Sequence, residues 1–377
     1  MKVEFYKHSL GEAEKLELTD TLDSLFLTTG PKTKQFESSF ANYLRNIHCF
    51  GVTSWTMGNF ITLKAMGIGP GDKVLTTPMT YVATANTILH CGAEPVFADV
   101  EPDSGIIDLE QVQKVLRIDD QIKALIVVHL YGQMADMKAL RQITESHGVL
   151  LLEDCAHCVE GLRDGVRPGN LSDAAVFSFY ATKNLTCGEG GAIITNDEAL
   201  ADKIKLLRLH GVDTSPSEKY ENKTYSHWDM NVLGYKCNMS DISASLLIPQ
   251  LPKLEQQRQI RKRLCEGYDE LLSEFVEIEK PSVLPESTHA HHLYTIRVPP
   301  QKRDELLGEL TQSGIGVGVN FRAIHLLHYY RKKFGYRKGS FPIAERIGDS
   351  TISLPLYPSL KSEEQEYIAE KLRQFLE

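Results

Sequence analysis

Two residues in this chain stand where their side chains can do chemistry rather than packing: Lys183 and Asp154. Lys183 lies in a polar loop with three glycines, Gly188, Gly190 and Gly191, between two short apolar runs, Ala174 to Phe179 and Ala192 to Thr195. A lone lysine beside a strand end is ordinarily a solvated surface residue. Here the apolar runs enclose the loop, and its glycines let backbone approach a ligand closely. An amine held there is partly desolvated, which lowers its pKa and makes it a usable nucleophile or proton carrier. Lysines of this kind form Schiff bases with carbonyl compounds.

Asp154 closes the run Val149-Leu-Leu-Leu-Glu-Asp154, which reads as a buried parallel strand with two carboxylates at its carboxyl end. In open α/β sheets the ligand crevice lies beyond those ends. A helix N-cap would explain Asp154 taken alone. Paired with Lys183, it reads as the acid that keeps a ring nitrogen protonated in electron-sink chemistry.

The elements that must position this pair alternate between strand and helix, as in a doubly wound domain. After a helix from Glu12 to Leu25, Phe36, Phe40 and Leu44 stand one turn apart on a helix over Thr33 to Arg45. A strand from Cys49 to Thr53 runs into Ser54-Trp-Thr-Met-Gly58 and a helix to Met66; hydroxyls and N–H groups at that helix start form a phosphate cradle. Strands follow at Lys73 to Thr77, Glu94 to Val100 and Ala124 to Leu130, with helices at Tyr81 to His90, Leu109 to Leu116 and Met137 to His147. A helix from Glu198 to Leu209 follows the lysine loop. About seven strands, mostly parallel, are expected.

These segments carry a family resemblance. Thr28-Thr-Gly-Pro31, Gly67-Ile-Gly-Pro-Gly-Asp72, Pro78-Met-Thr-Tyr-Val-Ala-Thr84 and Gly92-Ala-Glu-Pro-Val-Phe-Ala-Asp99 resemble the DegT/DnrJ/EryC1/StrS sugar aminotransferases. So do Val128-His-Leu-Tyr-Gly132, Glu153-Asp154, Phe177-Ser-Phe179, Thr182-Lys-Asn184 and Glu189-Gly-Gly191. The resemblance covers nearly the whole chain. It implies the fold type I α/β architecture of pyridoxal phosphate enzymes: a mostly parallel seven-stranded sheet with helices on both faces, plus a smaller C-terminal α+β domain. The expected division is 1–250 and 251–377. Three further segments, Gly234 to Asp241, His289 to Tyr294 and Gly314 to Ala323, resemble the branch that aminates UDP-4-keto-pentoses of the 4-amino-4-deoxy-L-arabinose type.

The resemblance also implies roles. Lys183 would carry pyridoxal phosphate and Asp154 its ring nitrogen, with Tyr81 stacked on one face of the ring and His157 on the other. Thr56 and Ser178 would hold the phosphate. Trp55 departs from the small residue that is usual there, and is expected to crowd the cofactor edge or reach into the substrate cleft. Asn238 would reach the phosphate of a neighbouring subunit, implying a homodimer with shared sites. Tyr180, Glu189, Lys236, Arg322 and His325 are the implied substrate contacts. The partners would be L-glutamate, 2-oxoglutarate and a nucleotide sugar, a UDP-4-keto-pentose in the first instance. A 4-keto-6-deoxyhexose on UDP, GDP or dTDP is the alternative. A 3-dehydratase branch carries histidine where this chain has Lys183, and a catalytically silent regulatory relative would not need Lys183 and Asp154.

Size and charge set the outer limits. With 377 residues, two domains are expected. A net charge of −9 argues against general nucleic-acid binding. No apolar run reaches ~18 residues, which excludes a membrane-spanning helix, and the start lacks a signal-peptide core, so a cytoplasmic enzyme is expected. Seven cysteines suit free thiols in a reducing compartment. Gly188-Glu-Gly-Gly191 lacks dinucleotide-fingerprint spacing. A metal reading of His289-Ala-His-His292 fails because residues on a strand face partly opposite ways. The basic cluster from Arg258 to Arg263 reads as a solvated helix face. Residues 212 to 233 are expected to form a loop over the cleft. Helix from Ile242 to Phe275, broken by Pro252, leads into strands at Leu293 to Val298 and Val317 to Phe321 and helices at Arg303 to Thr311 and Ser362 to Leu376.

Overall fold

Strand β4 (Ile122–Val128) shows how the sheet is buried. Ala124 and Ile126 enter one apolar cluster while Leu125 and Val127 enter another on the opposite face. A period of two with both faces apolar is what a parallel strand covered on each side requires. The computed structural model describes residues 1–212, 227–284 and 286–376.

The sheet contains β1 (His48–Val52), β2 (Lys73–Thr76), β3 (Glu94–Phe97), β4, β5 (Leu150–Asp154), β7 (Ala174–Ser178) and β8 (Gly191–Thr195), in the order β1-β8-β7-β5-β4-β2-β3. A two-residue strand, β6 (Leu162–Arg163), pairs elsewhere with β9 (Ser287–Thr288). Strands β2 to β7 of the sheet pair in parallel, whereas β8 runs antiparallel to both neighbours. The expected mostly parallel seven-stranded α/β sheet is observed.

Helices α1 (Glu12–Leu22), α2 (Pro31–Leu44), α3 (Trp55–Ala65), α4 (Ala83–His90), α5 (Leu109–Ile118), α6 (Met137–His147) and α7 (Glu198–Leu207) accompany the strands. Their starts follow from capping: Ser54, Asp108, Asp136 and Asp197 each accept a backbone N–H of the first turn. On one face α5 and α6 bury Val112, Leu116, Leu140 and Ile143. Elsewhere α2 presents Phe36 and Phe40, whose rings meet Phe177 and Phe179 edge-on at 5.1–5.5 Å. Such contacts add about 0.5–1.5 kcal/mol per pair beyond area burial. They fix the strand that leads to Lys183.

The continuous helix expected from Ile242 resolves into α8 (Asp241–Leu247), a 3-10 stretch (Ile248–Lys253) holding Pro252, and α9 (Leu254–Leu271). Arg258 and Arg261 overturn the solvated-face expectation. They are 8% and 2% exposed, and meet Glu255 and Glu160 at 2.5 Å. Arg261 faces the buried Glu160 and Arg258 the exposed Glu255 of its own helix, and pairing makes burial of a guanidinium tolerable.

A second core gathers Tyr268, Ile296, Leu310, Ile352, Ile368 and Leu372, with Val3 from the N-terminal arm. Its elements are α9, β10 (Tyr294–Arg297), α10 (Pro300–Gln312), β11 (Thr351–Leu354) and α13 (Ser362–Leu376). The strand expected at Val317 to Phe321 is absent; one bridge, Gly318 to Ser353, remains. Gly314, Gly316 and Gly318 deprive that run of cross-strand packing, and β11 is the partner of β10. Helices α11 (His328–Phe334) and α12 (Pro342–Ser350) fill the stretch between the expected strand at Val317 to Phe321 and the last helix, where no element is expected. Residues 289–293 are irregular rather than strand. Of the expected loop over the cleft, residues 213–226 lie outside the described residues; 227–233 are exposed.

Candidate active site

The loop after β7 carries Lys183 on a turn closed by its own N–H to the Tyr180 carbonyl at 2.9 Å. Thr186 Oγ1 donates to Phe179 O at 3.1 Å and Gln250 Nε2 to Thr186 O at 2.7 Å, so the loop is tied down on both sides. Gly191 is required for a different reason from the one expected. A Cβ there would fall 2.7 Å from Phe177 O and 2.8 Å from Trp55 N. The close approach is the chain's own: it brings the start of α3 against the strands flanking Lys183.

The result is a cleft of about 450 Å³ shared by Lys183, Asp154, Thr56, Ser178, Tyr81 and His157. Asp154 is 5% exposed, with Oδ1 accepting from Ala156 N at 3.1 Å and Oδ2 from Thr84 Oγ1 at 2.9 Å. Among the described residues no ion-pair partner comes within 4.0 Å of it. Burial pushes its carboxyl up to about 6, against those two hydrogen bonds and the Lys183 charge. Burial likewise lowers the Lys183 amine to about 8, opposed by Asp154. The desolvation behind that lowering is the one the apolar runs around the lysine imply.

His157 is 8% exposed, accepts from Tyr131 N at 3.3 Å through Nδ1, and stacks on Phe321 at 5.6 Å. Burial holds its pKa well below the usual histidine value, so the ring is neutral. Tyr81 is 62% exposed, which excludes a buried structural tyrosine and leaves its ring open to the cleft. Ser54 caps α3 through Met57 N at 3.2 Å, placing Thr56 in the first helical turn, with Ser178 beside it in the cleft. Trp55 corrects an expectation. Its indole is 6% exposed, packs in the apolar core and donates to Val176 O at 3.1 Å. The ring is anchored under β7, while Trp55 still contributes to the lining of the cleft beside Ser54 and Thr56.

The remaining sequence candidates divide. Tyr180 and Glu189 line the cleft. Lys236 and Asn238 do not; they bond each other at 2.5 Å, and Asn238 also donates to Thr29. Arg322 is exposed outside the cleft, although Asn320 and Phe321 line it. His325, expected at the substrate, is fully buried, bonded to Glu345 Oε1 at 2.9 Å and packed on Phe341 at 4.8 Å. The 3-10 turn Ile324–Leu326 directs its ring into the protein. Sequence reasoning missed Thr84, the last residue of a quoted motif, and His292, whose Nε2 lies 3.4 Å from Lys183 Nζ. The signal for His292 was present in the histidine run, weighed there only as a metal site.

The donor set fits pyridoxal phosphate. A buried carboxylate without a cation suits a protonated ring nitrogen, a desolvated amine suits the aldehyde, and a capped helix start with two hydroxyls suits the phosphate. The comparisons agree. A model of the DegT/DnrJ/EryC1/StrS aminotransferase family matches residues 8–373. The spore coat polysaccharide biosynthesis protein SpsC of Bacillus subtilis is 39% identical over 369 residues, 97% of this chain and 94% of SpsC. Spr1654 of Streptococcus pneumoniae, in its PLP form, superposes with a TM-score of 0.91 at 29% identity, covering 100% of this chain and 98% of that one. Helicobacter pylori PseC, an aminotransferase involved in the biosynthesis of pseudoaminic acid, superposes at 0.91 with 26% identity, over 100% and 99% of the two chains. The chain therefore belongs to the DegT/DnrJ/EryC1/StrS aminotransferase family, whose cofactor is pyridoxal phosphate.

Proposed function

We propose that this enzyme moves the amino group of L-glutamate to a keto group of a nucleotide-linked sugar, releasing 2-oxoglutarate. The observation that carries the reading is the enclosed amine–carboxylate pair, Lys183 and Asp154, in one cleft with the start of α3. Relatives named for polysaccharide and pseudoaminic acid biosynthesis support a sugar as acceptor. A UDP-4-keto-pentose is the first candidate, on the sequence resemblance, and 4-keto-6-deoxyhexoses are the alternative.

Bound pyridoxal phosphate supplies a ring that accepts the electron pair left when the donor's Cα loses its proton. Lys183 Nζ takes that proton and returns it, a general acid–base role suited to an amine near neutral pKa. Asp154 holds the ring nitrogen's proton through its carboxylate. Thr56, Ser178 and the α3 backbone would hold the phosphate, and Tyr81 and His157 would pack against the ring. Tyr180 and Glu189, at the mouth, contact substrate.

The test is a panel of keto sugar nucleotides offered to enzyme loaded with the aminated cofactor, following sugar amination by mass spectrometry. Amination of a UDP-4-keto-pentose supports the first candidate; a panel without any aminated product sinks the nucleotide-sugar reading. A homodimer is part of this proposal. Leu16, Leu22 and Leu25, 65%, 56% and 76% exposed on and after α1, supply an apolar surface for a second copy. Asn238, outside this chain's cleft, would serve the neighbouring one. Mixing Lys183→Ala with Asn238→Ala chains should then recover activity that neither has alone, and no recovery rules out shared sites.

A further inference from the structure

We infer that His292 is the positioning residue for the Lys183 amine, accepting a hydrogen bond from Nζ and holding that nitrogen in the cleft whenever it is free. The inference rests on the reading of Lys183 as the reactive amine. It follows from a chain of partners that leaves His292 one tautomer. Asn184 Nδ2 donates to Glu160 at 3.1 and 3.3 Å and to Ala290 O at 3.0 Å. That turns Asn184 Oδ1 toward His292 Nδ1, 3.2 Å away. An amide oxygen only accepts, so Nδ1 carries the ring proton. Nε2 is then a bare lone pair, and it faces Lys183 Nζ at 3.4 Å. Glu160 is held in turn by Arg261 at 2.5 Å, both buried, so the orientation is set from α9.

Among the described residues, the titratable groups that interact with the Lys183 charge are Asp154 at the end of β5, His157 just after it, and His292 before β10. His157 is engaged through Nδ1 by Tyr131 N, and Asp154 by Thr84 and Ala156. The two rings pack at 4.4 Å, so His292 is fenced against a swing away from the lysine. Burial, then the Lys183 charge, holds the His292 pKa well below its usual value. It stays an acceptor and does not become a competing cation. Accepting from an ammonium is stronger than accepting from an amine, so His292 moderates the fall in the lysine's proton affinity that burial causes.

The test uses the cofactor-free protein and reads acylation of Lys183 by acetic anhydride against pH, by peptide mass spectrometry. The wild-type midpoint is expected near the lowered value of about 8. His292→Asn keeps a donor toward Asn184 but offers nothing to Nζ; its midpoint should fall by about one unit, tenfold in proton affinity. His292→Gln, whose amide oxygen reaches the Nε2 position, should restore it. A merely structural role would change melting temperature in both variants without moving the midpoint. Equal midpoints in all three proteins, or a Gln variant shifted as far as Asn, overturn the inference. Failure of the Lys183 assignment is read separately, as transamination by Lys183→Ala.

Discussion

Glu153 and Asp154 are adjacent in sequence, both buried, and opposite in what surrounds them. Strand alternation turns them to different sides of β5. Glu153, fully buried, is saturated: His129 Nε2 at 2.7 Å, Gly169 N at 2.9 Å and Ser172 Oγ at 2.5 Å all meet it. His129 Nδ1 accepts from Ala135 N at 3.2 Å, so Nε2 carries the proton it gives to Glu153. The nearby trio His129, Glu153 and Cys155 therefore has no imidazole lone pair left for a metal. Asp154 keeps two hydrogen bonds and, among the described residues, no ion-pair partner, and its carboxyl is pushed up to about 6. One acid is finished by the fold and locks it. Its neighbour is left under-satisfied, at a cost in stability, as the proposed role toward a cofactor's ring nitrogen would require.

Mutations can break this contrast. Lys183→Ala should abolish transamination and the visible absorbance of loaded enzyme; normal turnover would end the active-site assignment. Asp154→Asn should lower kcat/KM by roughly 10²–10³ yet stabilise the cofactor-free protein. The sign follows from a carboxyl raised in the fold: its contribution is most favourable below pH 3.8 and is lost as pH rises through about 6. At pH 7 the asparagine should be more stable by about 1–3 kcal/mol in urea titration. Glu153→Gln should do the reverse, losing about 2–4 kcal/mol because a buried amide N–H₂ then faces the donors that need an acceptor. If both substitutions move stability the same way, the contrast is wrong. Trp55→Phe is the smallest effect, at most about 1 kcal/mol in calorimetry for one lost hydrogen bond, because the Val176 carbonyl keeps the Cys155 N–H at 2.9 Å.

Where a residue's neighbours in the chain decided its environment, the sequence was readable. Lys183, Asp154, Ser178 and Thr56 all sit at ends of apolar strands or at a capped helix start, and local pattern places them together. Helix α6 and the last helix, α13, ended at the expected residues because Asp136 capping and amphipathic spacing are local. Contacts between distant segments were not legible. His292 meets Lys183 across 109 positions, and Arg261 meets Glu160 across 101. Nothing local to Trp55 reveals that its indole reaches Val176. His325 looked like a cleft residue until Glu345, on a helix not foreseen, drew it inward.

The antiparallel strand β8 has a consequence for how the chain assembles. It sits between β1 and β7, so His48 finds its partner only at Thr195. During synthesis, the first 180 residues present two unsatisfied strand edges that nothing yet made can cover. Pairings at such separation form slowly, and exposed edges invite association with other chains. The loop that carries Lys183 thus takes its place only when β8 closes the gap between β1 and β7.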